Sequence, residues 1–386
     1  MRVLHVHERA RYQGGVEQIL HDLASGLAAR GWPQALLCLD GPADPGYCAP
    51  FARVFGRADA REFDPHVVVL HKWSDPAAVQ PLLDRYPAVQ VVHDHDLYCP
   101  RRHKYFPIGQ QACDERAGAA CVSHLCLLER RGGAWPIGIT SLGDFHRRAA
   151  MARRARLFVA GSRYTASELV RNGYAADRIE TIAPVPAAID AAPVHPPGEP
   201  GRMLFVGQVV RGKGLDLLLS AAAGLEVGWQ LDVAGAGRQL DESRRLADQL
   251  GVADRVHFAG WVPNDELDDW YRRASFTVVP SRWPEPFGMI GLESMARGRP
   301  VVAFDSGGIG DWLAHQVSGL LVPRGDVAAL ARALQQLLSA PRLVRALGDQ
   351  AARHSRRRYS HRAYLDAMQS ALERAVGSEA LRRATA

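Results

Sequence analysis

The chain has no run approaching the ~18 uninterrupted apolar residues of a membrane-spanning helix, which argues against a helical membrane protein. Residues 1–12 carry charges where a secretory leader needs an apolar core, so the expected location is the cytoplasm. Six cysteines in 386 residues are too few for a disulfide-held scaffold. Lysine is scarcer still. Among 47 basic residues, Lys72, Lys104 and Lys213 are the only lysines, so a site that needs a compact ammonium must use one of them. Short-period repeats are also missing. What remains is 47% apolar and 23% charged, a globular composition that excludes a fibrous or wholly disordered chain.

The net charge of +6 is unevenly spread. Residues 98–156 hold eleven Lys or Arg against four Asp or Glu, and the rest of the chain is nearly neutral. An anion should meet this stretch first. It contains no groove-reading helix or RNA-stacking motif, so nucleic acid is not an expected partner. Arg147, Arg148, Arg153, Arg154 and Arg156 form either a solvated helix face or a peripheral contact with anionic lipid on the inner face of the cytoplasmic membrane.

At roughly 150 residues per domain the length predicts about two to three domains. Short Val- and Leu-rich runs at Val3–Val6, Ala35–Leu39, Val67–Leu70, Val89–Val92 and Leu157–Ala160 read as buried strands, with helical patterns between several of them. A proline-rich linker is expected over 184–200, where six prolines remove backbone donors. The alternation restarts at Met203–Val206, Gln230–Val233, Val256–Ala259, Phe276–Val279 and Val301–Phe304. The expected fold class is therefore α/β: two doubly wound, Rossmann-like domains, 1–183 and 201–357, with a cleft at the carboxyl ends of their sheets. A terminal segment, 358–386, forms a helix with one apolar face (Tyr364, Met368, Ala371, Leu372, Val376) that can cross back to the N-terminal domain.

Three stretches carry chemistry. In the segment from Ser281 to Gly298, Gly288 stands where a helix should begin, so the N–H groups of Phe287, Gly288 and Met289 can face a ligand. Glu285 and Glu293 flank that start and can accept hydrogen bonds from the hydroxyls of two sugar rings; the alternative is a pair of surface glutamates. Gly207, Arg211, Gly212, Lys213 and Gly214 form a glycine turn with two cations suited to a diphosphate, although no Ser or Thr follows the lysine as in a P-loop. Gly307 and Gly308 follow a further strand and can offer amides to the same phosphates. In the first half, Gly14 and Gly15 open the first helix, and His93 ends a strand at the carboxyl edge. Cys99, Cys113, Cys121 and Cys126 are separated by 13, 7 and 4 residues, which matches no short zinc-knuckle spacing. Buried thiols are favoured there over a structural zinc. With Arg101, Arg102 and Lys104 the same loop reads as an acceptor-side element.

In their order, Glu285-x7-Glu293, the Pro286-Phe287-Gly288 turn, Glu293-Ser294-Met295-Ala296-x-Gly298-x-Pro300-Val301-Val302, Gly307-Gly308 and Ser318-Gly319-Leu320-Leu321-Val322 resemble the family-4 retaining glycosyltransferases of GT-B fold. Gly14-Gly15-Val16-Glu17 and Val92-His93-Asp94 resemble that family less distinctively. The resemblance implies a metal-independent hexosyltransferase that needs no cofactor. It takes a UDP- or GDP-sugar as donor substrate and a saccharide or lipid-linked acceptor, in bacterial surface polysaccharide or glycolipid synthesis. It also implies that Glu285 contacts the transferred sugar, Glu293 the ribose and Lys213 the diphosphate, with His93 near the sugar. Gln208 departs from the family's usual Gly-Arg pair, which leaves Arg211 as the nearby guanidinium. The Asp94-x-Asp96 pattern holds a divalent metal in a different, single-sheet transferase architecture and is not read as a metal site here. A two-domain nucleotide-sugar epimerase and a non-catalytic sugar-binding protein are the alternatives.

Overall fold

The computed structural model describes residues 1–56, 60–109, 111–130 and 137–377. Residues 131–136 of the basic stretch and 378–386 of the expected terminal segment lie outside the described residues. The chain divides into two compact units. One comprises Met1–Ile108, Cys113–Ala187 and the terminal helix from His361; the other is built on Ala188–Ser360. The division falls within the proline-rich stretch, part of which forms the one-turn helix Ala188–Ala191.

The first unit contains strands β1 (Val3–His7), β2 (Gln34–Cys38), β3 (Arg53–Phe55), β4 (Val67–Leu70), β5 (Ala88–Val92), β6 (Leu128–Arg130), β7 (Ile137–Ile139), β8 (Leu157–Ala160) and β9 (Ile179–Thr181). Seven of them form a parallel sheet in the order β3-β2-β1-β4-β5-β8-β9, while β6 and β7 pair separately as an antiparallel hairpin. The inner strands are buried at every residue, as helices on both faces of a parallel sheet require. Helix Gly15–Ala29 turns Ile19, Leu20, Leu23 and Leu27 inward, following their spacing of three and four. The terminal helix His361–Val376 buries Tyr364, Met368, Ala371, Leu372 and Val376 and packs against Gly15–Ala29.

The second unit adds β10 (Arg202–Val206), β11 (Gln230–Ala234), β12 (Val256–Gly260), β13 (Phe276–Val279), β14 (Val301–Phe304) and β15 (Gly319–Val322), again all parallel, in the order β12-β11-β10-β13-β14-β15. In each sheet the strand order reverses once, between β1 and β4 and between β10 and β13. Loops leaving the carboxyl ends on either side of such a reversal diverge to opposite faces and leave a crevice, which is where α/β sheets bind ligands. Strands β3, β6, β7, β9 and β15 were not expected. Of these, β3 and β9 are three-residue edges of the parallel sheet with partly exposed polar side chains, and β15 opens on a glycine, so none of these three presents the apolar run that marks an inner strand. Gly235-Ala236-Gly237 is a close approach of loops: a Cβ on Gly235 would lie 1.8 Å from Gly207 O, and one on Gly237 would lie 2.4 Å from Val209 O.

Trp312 anchors the second unit beneath the helix Met289–Ala296. Its indole N–H donates to Phe287 O at 2.6 Å, and its ring is 1% exposed. A Cβ on Gly291 would lie 1.9 Å from that pinned ring. Gly291→Ala is therefore expected to destabilise the protein by about 1–3 kcal/mol through overpacking, read as a lower midpoint in urea unfolding. An unchanged midpoint would show that the indole can move aside.

Candidate active site

Two loops at the β10/β13 reversal are fastened to each other by the backbone before any side chain is considered. The loop after β10 makes a single turn at Arg211–Lys213, and Gly214 then caps helix Leu215–Ala223. The loop after β13 lies against it: Arg282 N–H donates to Gly212 O at 2.8 Å, and the Arg282 guanidinium grips Asp216 with two bonds of 2.8 and 2.7 Å. From the other side, Glu285 N–H donates to Ser306 O at 3.2 Å and Glu285 O accepts from Gly308 N–H at 2.7 Å. Gly307 permits this bridge, because its φ is +67° and a Cβ there would lie 2.3 Å from Glu285 O.

These fastenings bring Lys213 and Glu285 together. Lys213 Nζ donates to Glu285 Oε1 at 2.8 Å, and the same oxygen accepts from Trp283 Nε1 at 3.0 Å and from the Ser281 hydroxyl. Lys213 Nζ also lies 5.4 Å from the centre of the Trp283 ring, within cation–π range. Glu285 is only 4% exposed. Burial raises its carboxyl, but the Lys213 charge and the three hydrogen bonds outweigh that and hold it below the ordinary value. The site thus contains a buried, ionised carboxylate and an ammonium with two donors still to place.

One turn into the helix Met289–Ala296, Glu293 is half-buried, and burial holds its carboxyl above the ordinary value despite the nearby Arg297 charge and the Tyr271 hydroxyl at 3.3 Å. Gly288 begins this helix with φ +90°, and the N–H groups of Phe287, Gly288 and Met289 make no hydrogen bond among the described residues. Arg211 reaches no nearer than 3.8 Å to its ion-pair partner, Glu242. Two expected donors are spent elsewhere. The Gly308 N–H is committed to Glu285 and the Gly207 N–H to Ala234 O at 3.0 Å, so neither is open to a phosphate.

In the first unit, His93 and Asp94 follow β5, and Lys72 Nζ sits 2.6 Å from Asp94 Oδ2. Burial opposes the charge on Asp94, yet Lys72 and the hydrogen bonds around Asp96 drive its carboxyl far below the ordinary value. Burial and the Asp94 charge drive Asp96 up. Near Gly14 and Gly15, Glu17 is held by His7 Nε2 at 3.3 Å. Cys99, Cys113, Cys121 and Cys126 are all buried free thiols, and among the described residues no group of three or more His, Cys, Asp or Glu is arranged to hold a metal ion. Burial of the four thiols is the arrangement the sequence favoured. Four of the five arginines named for a lipid surface have partners inside the unit: Arg147 with Asp144, Arg154 with Asp84, Arg153 with Asn172 O and Arg156 with Ala375 O. No described helix is long and apolar enough to cross a membrane.

Sequence reading missed Ser281, Trp283, Tyr271, Arg282 and Asp216. Ser281 and Trp283 lie in the stretch singled out for Glu285, but nothing in their spacing says that both turn towards one carboxylate oxygen. Lys72 had one signal, its rarity.

Two parallel, doubly wound sheets, each with one reversal of strand order, are the sheets of a GT-B architecture. The chain belongs to the group 1 glycosyltransferases: the family described as "Glycosyltransferase Family 4" matches residues 13–185, and "Glycosyl transferases group 1" matches residues 189–354. The D-inositol 3-phosphate glycosyltransferase of Thermobispora bispora is 39% identical over 186 residues, covering 45% of this chain and 43% of that protein. The corresponding enzyme 1 of Catenulispora acidiphila is 33% identical over 232 residues, covering 54% of each chain. The chain thus spans about half the length of the curated relatives it matches. Among solved structures, sucrose-phosphate synthase from Thermosynechococcus elongatus superposes with a TM-score of 0.74 at 20% identity, over 96% of this chain and 97% of that one. Anabaena HepE, in complex with UDP and glucose, gives 0.73 at 16% identity, over 96% and 99%. These likenesses establish the fold.

Removing the ammonium isolates the carboxylate. Lys213→Met is expected to cost about 1–3 kcal/mol at neutral pH, because Glu285 then stays buried without its cation. In the wild type the folded Glu285 carboxyl lies below its unfolded value, so its contribution is present at neutral pH and is lost as pH falls through that depressed value. The gap between the two proteins should therefore close on acidification. Denaturant titrations at pH 7 and pH 4 measure it, and a gap that is constant with pH would show that the loss comes from packing alone.

Proposed function

We propose that the chain transfers a sugar from a nucleotide-sugar donor to a saccharide or lipid-linked acceptor. The observation that carries this reading is the buried Lys213–Glu285 pair beside the open amides of Phe287 to Met289. A sugar hydroxyl donates to the ionised Glu285, and the two unused Lys213 donors meet the donor's diphosphate. Glu293 takes the ribose hydroxyls, and Arg211 adds the second guanidinium or ammonium charge that a leaving diphosphate calls for.

The configuration at the anomeric carbon is retained. The acceptor attacks from the face that the leaving phosphate vacates, and that phosphate receives the acceptor's proton. Negative charge that grows on the β-phosphate is met by Lys213 and Arg211 without a metal, and loss of one such contact should cost about 2–4 kcal/mol of transition-state stabilisation. His93 lies against the transferred sugar.

The named acceptor of the curated relatives is a phosphorylated polyol. An anionic acceptor suits a surface groove of about 890 Å³ in the first unit, walled in part by Arg102, Arg147, Arg148 and Arg154. A lipid-linked acceptor would bring the protein to the inner face of the cytoplasmic membrane for surface polysaccharide or glycolipid synthesis. Each basic side chain near an anionic surface contributes about 1 kcal/mol. Flotation with phosphatidylglycerol vesicles is expected to exceed flotation with neutral vesicles and to weaken in an Arg147→Ala, Arg148→Ala double variant; equal flotation removes the membrane from this reading.

Donor class comes first. Calorimetric titration of UDP-, GDP-, ADP- and dTDP-sugars is expected to give saturable binding of one nucleotide class, weakened in Glu293→Ala. No binding by folded protein overturns the transferase reading in favour of a sugar-binding protein. Interconversion of a bound donor's sugar without an acceptor points to an epimerase.

A further inference from the structure

A line of three imidazoles crosses the first sheet and ends at His93. His5 lies on β1, His71 directly follows β4, and His93 directly follows β5. His93 Nε2 is 2.8 Å from His71 Nδ1, His71 Nε2 is 3.0 Å from His5 Nδ1, and His5 Nε2 is 2.8 Å from Gln34 Oε1. His5, Gln34 and His71 are at most 2% exposed.

The far end of the line sets the direction of every bond in it. The Gln34 amide nitrogen donates to Trp32 O at 2.7 Å, and a carbonyl can only accept, so the amide oxygen is the atom that faces His5. His5 Nε2 must then carry the proton. A neutral imidazole has one N–H, which leaves His5 Nδ1 bare, to accept from His71 Nε2–H. His71 Nδ1 is bare in turn and accepts from His93 Nε2–H. All three rings stay neutral near pH 7, because burial brings His5 down to about 4 and His93 to about 3 and drives His71 well below the ordinary value. The His7 ring stands nearly perpendicular to the His71 ring, and His7, Asp94, Lys72 and Glu17 also act on His93. His93 Nδ1 is left as a bare acceptor, and it makes no hydrogen bond among the described residues.

We propose that Gln34, His5 and His71 are positioning residues that lock His93 in its Nε2–H tautomer, so that Nδ1 is presented as an acceptor to a hydroxyl of the bound sugar. The sugar in this statement rests on the transferase reading above. Such an atom welcomes a hydroxyl and repels a carboxylate or phosphate oxygen, which makes the line a specificity device as well as a scaffold.

The test is a long-range proton–nitrogen correlation spectrum of the full chain labelled with 15N-histidine, at pH 7 and without ligand. His93→Gln assigns the His93 signals by their loss. Each of the three rings is expected to show a protonated, pyrrole-like Nε2 and a bare, pyridine-like Nδ1. In Gln34→Met, which keeps the side-chain length and removes the acceptor, the two His93 nitrogen shifts should move towards each other as tautomers mix. A protonated Nδ1 in wild-type His93 overturns the proposal, as does a Gln34→Met spectrum with the His93 tautomer unchanged. Should that variant not fold, the wild-type spectrum decides alone. No donor is involved, so an empty donor titration beside the expected spectrum would remove the sugar and leave the tautomer lock standing.

Discussion

The contact on which the second unit's crevice depends is the 2.8 Å bond between Lys213 and Glu285. A carboxylate buried this deeply is costly alone, and it is tolerated because an ammonium, an indole N–H and a hydroxyl converge on one of its oxygens. That convergence requires the loops after β10 and β13 to sit at one separation. The Arg282 grip on Asp216 and the Glu285 bridge to Gly307 and Gly308 hold them there. Backbone fastening and charge pairing therefore support each other: either without its counterpart would leave a buried group unpaired.

The same chemistry recurs at every lysine. Lys72 pairs with Asp94 at 2.6 Å, Lys104 with Glu168 at 2.8 Å and Lys213 with Glu285 at 2.8 Å. In a chain whose other basic residues are arginines, each of the three ammonium groups is paired with a carboxylate. A guanidinium has five donors in a rigid plane, and a pocket that satisfies one or two of them leaves the rest buried and unpaired. Lys104 and Glu168 are each 1% exposed at the side chain, which is the tightest of the three cases.

Much of the architecture was legible because inner parallel strands are buried on both faces and are therefore mostly apolar. Val67–Leu70 and Val301–Phe304 begin and end in the structure where their apolar runs do. Edge strands carry no such demand, and Arg53–Phe55 and Ile179–Thr181 left no mark in the sequence. At the site, glycine and proline punctuation marked the loops that hold Lys213 and Glu285. It did not reveal that the Gly308 N–H is consumed by Glu285, since an amide's availability depends on what the fold puts opposite it.

By itself the sequence determined the alternation of strand and helix, the two sheets that follow from it and the loops that carry the rare lysines and the paired glutamates. Only the tertiary structure decided which side chains meet. Lys213 and Glu285 are 72 residues apart, and the steps of the histidine line span 22, 66 and 29 residues. Hydrophobic periodicity states which face of an element is buried. It carries no record of strand order or register, and those two quantities set the distance between atoms on neighbouring strands.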